Sequence, residues 1–422
     1  MLAGISLGAL ILIIIIGIIK PKVNLGLLAI GCAYAIGVWL MGMKEKELAG
    51  LFPASLFLML TSMTYLFALA NENKTLQQLT DRMVRLVHGK PTLLPLIFFG
   101  MSFALAAAGP GNIAAVALMA PVGMIMAYQT KQSLLLMAIM ICTGANSGAF
   151  SPIAPTGIIA AGILHQINMN QSNLPWIIFA ASAAIQSITA FAAFFLFSFL
   201  QKSKVSNSEI LSVPTNKERL TPFTKNQKFT LVCLSLLLLS IIIFKLPLVL
   251  AACIAFVPMV IFNLADSEAA IKKMPWDAIL LVTGVCLLVC LLEKSGGIAL
   301  ATTLLVSISK VSYINAMLAF ITGIISAYSS SSGVVLPAFL PLVPKLIEQL
   351  NGGDGFRMAI AIAVGSHMVD VSPLSTLGAI CISSVPAIGA VRNRLFRQLM
   401  IWGLSMSVIG AFLSFVLLDL TY

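Results

Sequence analysis

The chain has 422 residues, of which 59% are hydrophobic and only 9% are charged, and its mean hydropathy is +1.04. Soluble domains carry about 25% charged residues, so this composition excludes an ordinary soluble protein and predicts a polytopic membrane protein. The net charge of +11 comes largely from Lys and Arg at the ends of apolar runs. The positive-inside rule explains that placement better than nucleic-acid binding does.

Hydropathy predicts ten membrane spans of roughly 18 residues or more, long enough for a hydrocarbon core of about 30 Å. They lie near residues 3–19, 23–43, 53–70, 133–163, 176–200, 229–245, 248–264, 277–293, 357–386 and 398–420. The first run could be a signal peptide. It lacks a basic start and a small-residue cleavage site, so we expect it to be retained as a span.

Two further apolar segments, 92–127 and 313–344, are interrupted by GPGN (109–112) and SSSSG (329–333). Each could be two separate spans or one re-entrant hairpin. If both are hairpins and KPK (20–22) is cytoplasmic, the basic segments near 82–90, 201–228 and 392–397 all lie inside. The Lys and Arg distribution therefore favours two hairpins and places both termini outside.

The two halves of the chain repeat one plan. Gly109 and Ser151 are 42 residues apart, as are Ser330 and Ser372, and the offset between the copies is about 221 residues. We predict an N-terminal repeat (1–200, hairpin 92–130, unwound helix 133–163), a cytoplasmic linker (201–228) and a C-terminal repeat (229–422, hairpin 313–356, unwound helix 357–386). With five spans and one hairpin each, the copies enter the membrane from opposite sides, as in inverted-topology secondary transporters.

Four polar interruptions, at 109–112, 143–157, 329–333 and 364–378, occupy matching places in the two repeats. Backbone that is unwound within a bilayer needs partners from protein or from a water-filled cavity. Free N–H groups at broken helices suit an anion, and carbonyl oxygens at helix ends suit a cation. The pattern therefore predicts an anionic substrate held between cation sites.

The hairpin tips resemble a known superfamily. GNIAAVALMAP (111–121) and SSGVVLPAFLP (331–341) are similar to the tip motif of the ion transporter superfamily, in its divalent anion/sodium symporter branch, with Pro nine residues after Asn112 and after Ser332. ANSGAFSPIAPTG (145–157) and HMVDVSPLSTLGA (367–379) resemble its unwound helices. The likeness is greatest to the MatC-type malonate/dicarboxylate carriers, particularly over 52–90 and the hairpin that follows.

This resemblance implies an elevator-type homodimer in the bacterial inner membrane that carries a small dicarboxylate with Na⁺ or H⁺. The substrate site is expected to include Asn112, Thr156, Ser331, Ser332 and Thr376. The cation sites are expected to include Asn112, Ser147, Gly148, Ser332 and Asp370. No enzyme activity, cofactor or nucleic-acid partner is expected. The sequence contains no GxxxxGK[ST] or HExxH motif, and its seven cysteines form no CxxC pair.

Individual residues leave alternatives open. Asp370 could ligate a cation or carry the proton of an H⁺ symporter, and His367 could be its partner, a proton relay or a packed neutral side chain. Asp277 and Glu293 are predicted to be interfacial, and Arg357 to lie at a helix end. The alternative functions are a same-fold transporter of sulfate, an arsenite-like solute or a monocarboxylate, and a non-transporting component of a membrane complex.

Overall fold

The computed structural model describes residues 1–19, 23–85, 93–169, 171, 173–202, 222–244, 246–327, 330–385 and 390–420. Throughout these ranges the chain forms helices joined by turns, without a β-strand. The predicted all-α class is therefore confirmed. KPK (20–22), Lys90, Lys245, Ser329 and most of the predicted linker lie outside the described residues.

The helices of the first half begin at residue 2 and end at residue 202. They are α1 (Leu2–Ile19), α2 (Leu25–Tyr34, continued by a π-helical turn at Ala35–Leu40), α3 (Glu45–Ala49), α4 (Ala54–Glu72), α5 (Thr75–Arg85), α6 (Leu94–Ala107), α7 (Gly111–Gln129), α8 (Leu134–Ala149), α9 (Pro155–Gln166) and α10 (Leu174–Lys202).

The helices of the second half follow in the same order, with more local irregularity in the second hairpin. They are α11 (Lys225–Ile242), α12 (Leu248–Ile261), α13 (Ser267–Lys272), α14 (Trp276–Lys294), α15 (Gly297–Ser307), α16 (Ile314–Ser326), α17 (Leu336–Phe339), α18 (Val343–Leu350), α19 (Gly355–Met368), α20 (Thr376–Ser383) and α21 (Ala390–Ser414). Short π-helical turns at Ser331–Val335 and Phe415–Asp419 and 3₁₀ turns at Val311–Tyr313 and Leu340–Leu342 connect or extend them.

Corresponding helices start at nearly constant spacing. α4 and α14 both have 19 residues, and their first residues, Ala54 and Trp276, are 222 positions apart. The first residues of α8 and α19, Leu134 and Gly355, are 221 positions apart. The order of elements around the two interrupted segments therefore recurs in both halves.

Fewer helices than expected are long enough to cross a membrane alone. Among the described residues, six helices are long and apolar enough, or seven if the pair Gly297–Ser307 and Val311–Ser326, bent by 84°, forms one span. The six are Ala54–Glu72, Gly111–Gln129, Leu174–Phe197, Trp276–Lys294, Ser331–Leu350 and Ala390–Asp419. Other predicted spans, such as Leu134–Ala149 and Leu248–Ile261, are shorter apolar helices. The prediction of about ten spans is thus only partly matched, because hydropathy counts an interrupted or short helix as a full span.

The two unwound segments are shorter than predicted. Residues 143–149 are helical and belong to α8, and the break covers only 150–154 before α9 begins. Residues 364–368 likewise belong to α19. A Cβ added at Gly144 would lie 2.3 Å from the Phe99 carbonyl oxygen, so this glycine allows α8 to pack closely on α6 rather than breaking the helix.

One helix was not expected. No span was predicted between 277–293 and the apolar segment 313–344, yet α15 lies there. α15 begins 222 positions after α5, the helix at the equivalent place in the first half. The hydropathy of α15 differs little from that of the apolar hairpin that follows it. Hydropathy alone therefore does not identify α15 as a separate helix.

Two ion pairs tie α4 to α14. Lys294 at the end of α14 pairs with Glu47 of α3, which precedes α4, at 3.0 Å. Lys273, which precedes α14, pairs with Glu72 at the end of α4 at 2.5 Å. The two helices, which contact each other, therefore run antiparallel. On either side of them, the hairpin helices pack against α8 in the first half and α19 in the second.

Candidate functional site

The first hairpin turns at two glycines with positive φ angles. Gly109 has φ +126° and Gly111 has φ +84°, conformations that other residues rarely adopt. A Cβ at Gly109 would lie 2.1 Å from the ring of Phe67 on α4, and one at Gly111 would lie 2.9 Å from Pro155 at the start of α9. Only glycine therefore lets this tip fit between α4 and α9.

A chain of amide hydrogen bonds leads from this tip to the second half. Asn112 Nδ2 donates to Asn146 Oδ1 at 2.9 Å, and Asn146 Nδ2 donates to the carbonyl oxygen of His367 at 2.9 Å. Asn112 is 9% exposed and Asn146 is fully buried. Because a buried amide without partners is costly, these bonds fix the hairpin tip on α8 and on the end of α19.

The second hairpin tip meets a buried carboxylate. Ser331 Oγ donates to Asp370 Oδ1 at 2.5 Å, and Ser326 Oγ lies 3.3 Å from the same oxygen. Asp370 is 7% exposed. Among the described residues, no Lys or Arg forms an ion pair with it. A buried carboxylate held only by hydroxyl groups is expensive, and a bound cation or proton would offset that cost.

The backbone at this tip is π-helical. The turn Ser331–Val335 begins after Ser330, whose side chain accepts a hydrogen bond from the Gly333 amide. Single π-helical turns frequently occur at functional sites. Ser332 is half-buried in this turn, and a Cβ at Gly333 would lie 2.5 Å from Leu281 Cδ2 on α14. The second tip therefore contacts α14 as the first tip contacts α4.

The other predicted site residues occupy more varied positions. Thr156 is 3% exposed in the first turn of α9, whereas Thr376, the first residue of α20, is exposed. Ser147 Oγ donates to the Thr143 carbonyl oxygen within α8 at 2.8 Å. A Cβ at Gly148 would lie 2.6 Å from the Ala107 amide nitrogen, so this residue has a packing role.

Asn112 and Asn146 are thus brought together, as are Ser331 and Asp370. Within the described part of the chain, no hydrogen bond connects these groups with Thr156, Thr376, Ser147 or Gly148. Their assignment to the substrate and cation sites stays a prediction.

His367 lies where the two broken helices meet. It is fully buried, and its ring centroid is 4.5 Å from that of Phe150, the residue that follows α8. Its Nδ1 lies 3.1 Å from the Ala363 carbonyl oxygen and 3.1 Å from Ser366 Oγ. Its Nε2 has no hydrogen-bond partner among the described residues. Neither ring nitrogen forms a hydrogen bond with Asp370 in this geometry, so the alternative that His367 pairs with this carboxylate is not supported.

Several contacting residues were missed from the sequence, namely Asn146, Phe150, Ser326 and Ser366. A usable signal existed for Asn146. It lies 221 positions before His367, the offset that relates α8 to α19, so both halves place a polar residue at this point of an otherwise apolar helix.

Two cavities lie near the ends of α4, α9 and α14. A crevice of about 450 Å³ lies between the start of α4, the end of α9 and the end of α14, and Glu293 lines it. A smaller cavity of about 320 Å³ adjoins it beside Ile167. Leu374, in the break before α20, is 47% exposed. The structure thus has a crevice at the ends of α4, α9 and α14 and an exposed residue in the second break.

Asp277 and Arg357 lie in the first turns of α14 and α19. Asp277 is exposed and accepts a hydrogen bond from Asn24 Nδ2 at 3.0 Å. Arg357 donates to the Leu418 carbonyl oxygen at 2.8 Å and lies 3.5 Å from Asp354. This position agrees with the expected helix-end role of Arg357.

Similarity to known proteins supports a transporter. Residues 1–149 match the family model of the dicarboxylate carrier protein MatC N-terminus. The uncharacterized transporter YfbS of Escherichia coli is 25% identical over 170 residues, which cover 39% of this chain and 27% of that protein. The chain thus matches about a quarter of the length of this curated relative.

The fold also matches a solved transporter. The crystal structure of the YdaH transporter of Alcanivorax borkumensis, described as having an unusual topology, aligns with a TM-score of 0.57 at 13% identity. The alignment covers 91% of this chain and 89% of that one. At this identity the match concerns the fold alone. The expected resemblance to MatC-type dicarboxylate carriers is therefore confirmed over residues 1–149, within a multi-pass helical fold like that of a membrane transporter.

Proposed function

We propose that the chain is a secondary active transporter that carries a small dicarboxylate, such as malonate or a C4-dicarboxylate, together with Na⁺ or H⁺. It would act in a bacterial inner membrane, with both termini outside, as a homodimer of elevator type. The observation that carries this proposal is the convergence of both hairpin tips on two broken helices around one buried carboxylate, Asp370.

The site offers complementary groups for an anion and a cation. α9 and α20 both begin beside the centre of the site, and their first amide groups suit a substrate carboxylate. Asp370 and the hydroxyl oxygens of Ser326 and Ser331 form a cluster of oxygens of the kind that holds Na⁺ or a proton. A carboxylate substrate and a cation would offset each other's charge in this buried setting.

The antiparallel arrangement of α4 and α14 supports an inverted repeat. These helices are equivalent in sequence spacing, and their ends are tied in opposite directions by the Glu47–Lys294 and Glu72–Lys273 pairs. Two copies of one unit that run in opposite directions across the bilayer are typical of transporters that alternate access by moving one part against another.

The contacts of the tips suggest which side the site faces. The first tip touches Phe67 in the second half of α4, and the second touches Leu281 in the first half of α14. Because the helices are antiparallel, both contacts fall towards α13, whose Lys272 and Lys273 favour the cytoplasmic side.

Uptake by purified protein in liposomes tests the proposal. Radiolabelled malonate and succinate would be offered under separately imposed Na⁺ and H⁺ gradients, and we expect saturable accumulation under one of them. Competition by sulfate, arsenite or a monocarboxylate, but not by dicarboxylates, would instead support a same-fold transporter of another solute. Absence of gradient-driven uptake of every solute would favour a non-transporting membrane component.

A further inference from the structure

The proposed function does not yet use the imidazole of His367, which lies at the centre of the site. It is fully buried at the end of α19, its ring contacts Phe150 beside the other broken helix, and its backbone carbonyl accepts the amide of Asn146. The ring is thus held between the two interruptions, one helical turn before Asp370.

The hydrogen bonds on one edge of the ring fix its neutral tautomer. Ser366 Oγ donates to the Ala363 carbonyl oxygen at 3.1 Å, and Nδ1 lies 3.1 Å from that same oxygen. A lone pair on Nδ1 would face the carbonyl lone pairs, so Nδ1 carries the hydrogen and donates it. Nε2 then presents a lone pair on the edge that points away from α19.

Among the residues that the structure describes, this lone pair has no partner. Nε2 is buried and makes no hydrogen bond with any described residue. Buried polar atoms are normally satisfied, and an exception at a functional site indicates a missing ligand or water. The missing partner must be a donor, because a neutral Nε2 in this tautomer can only accept.

We propose that His367 Nε2 accepts a hydrogen bond from an O–H group of the transported carboxylate, and so selects substrates that carry such a donor. This inference rests on the proposed transport function. The O–H can come from two sources, a hydroxyl group on the carbon skeleton or the undissociated carboxyl of a half-protonated dicarboxylate. A fully ionised dicarboxylate without a hydroxyl group offers no donor, and it leaves Nε2 unpaired.

Matched substrate pairs test this selection. Binding of malate and succinate, and of tartronate and malonate, would be measured by calorimetry on the purified full chain at about pH 8, where all carboxyl groups are ionised. We expect the hydroxylated member of each pair to bind about ten- to hundredfold more tightly, the range set by an unpaired buried acceptor. Repetition at about pH 6 separates the sources, because only the half-protonated form becomes more abundant there.

Substitution of the ring distinguishes an acceptor from a packing residue. His367→Gln places an amide oxygen near the position of Nε2 and should keep most of the discrimination. His367→Leu fills similar space without an acceptor and should reduce it about tenfold or more, while binding of succinate persists. Ser414→Ala on α21 removes another buried hydroxyl that has no hydrogen-bond partner within the described part of the chain, and it should leave the ratio unchanged. Thermal unfolding of each variant reports whether it folds.

The outcomes separate this inference from the proposed function. If wild-type protein binds or transports no dicarboxylate, the proposed function fails. If dicarboxylates bind but each pair binds equally well at both pH values, or if His367→Leu keeps the discrimination, only the role of Nε2 is overturned. Tighter binding of ionised substrates upon acidification, lost in His367→Gln, would instead mean that a charged ring donates to a carboxylate, and this too would overturn the proposal.

Discussion

The two hairpin tips use different chemistry at equivalent places. The first tip is joined to its broken helix by neutral amides, Asn112 and Asn146, which continue to a backbone carbonyl of the other half. The second is joined through the hydroxyls of Ser326 and Ser331 to the carboxylate of Asp370. Equivalent helices can therefore carry unequal sites, with the charge that a cation requires placed on one side alone.

Removal of the Asp370 charge should have the largest effect on transport. Asp370→Asn keeps the shape but turns the second tip into a neutral one, like the first. Hydrogen bonds to a charged group stabilise by about 1.5–3 kcal/mol each, so we expect gradient-driven uptake in proteoliposomes to fall by roughly 100-fold. Exchange of substrate without a gradient should persist if Asp370 is the proton site.

Asp277→Asn is the matched control. This carboxylate is exposed and bonds Asn24, which belongs to neither hairpin tip, so the substitution should leave uptake unchanged. Normal gradient-driven uptake by Asp370→Asn would mean that the carboxylate does not couple the cation, and that the difference between the tips has no functional meaning.

A second prediction concerns the close helix packing at Gly144 and Gly365, in which the two halves are alike. A Cβ at Gly144 would lie 2.3 Å from the Phe99 oxygen, and one at Gly365 would lie 2.4 Å from the Ala319 oxygen. Gly144→Ala and Gly365→Ala should each destabilise the protein by about 1–3 kcal/mol through overpacking. Thermal unfolding in detergent measures this, and similar losses in both variants are expected.

Gly100 on α6 provides the control for these substitutions, since nothing lies within 4 Å of an added Cβ. Gly100→Ala should be neutral or stabilising by up to about 1 kcal/mol, because alanine has the higher helix propensity. A large loss in one half alone would contradict the equivalent packing of α8 on α6 and of α19 on α16.

The amide chain should contribute less than the carboxylate. Asn146→Ala leaves the Asn112 amide and the His367 carbonyl without a partner, which costs roughly 1–2 kcal/mol. Substrate affinity, measured by calorimetry, should fall about tenfold. Thr143→Val on the same helix, whose hydroxyl bonds only its own backbone, should have little effect, and equal losses in both variants would indicate general loosening of α8.

The smallest effects are expected at the two ion pairs on α4 and α14. Both are partly or largely exposed, and such pairs contribute about 0–1 kcal/mol. Lys273→Gln and Lys294→Gln should therefore shift the unfolding temperature slightly, and less at high salt. A large effect of only one would mean that the two faces of the α4–α14 pair are not equivalent.

The sequence predicts the positions of the interruptions better than their extent. GPGN at 109–112 forms a turn in which Gly109 and Gly111 have positive φ angles. A cluster of glycine, proline and asparagine of this kind can be recognised in the sequence. Gly144 and Gly148 look the same in sequence but serve close helix packing. Local composition cannot separate these cases, since the difference lies in the neighbouring helix.

The residues that contact each other across the site could only partly be predicted from the sequence. Asp370 stands out because a carboxylate in an apolar segment is rare, and the serines that bind it follow from the hairpin motif. Asn146 and the free edge of His367 depend on which helix faces which, and that is set by packing between distant segments rather than by any local pattern.

The hydrogen bond between Asn146 and His367 joins residues separated by the same 221 positions that relate α8 to α19. Any twofold axis that relates the halves must pass close to this bond, because Asn146 and His367 occupy equivalent positions in the two halves. The acceptor is a backbone carbonyl, so the bond depends on the amide of Asn146 and not on the side chain at position 367. The second copy can therefore change its side chain here, while the first must keep its donor.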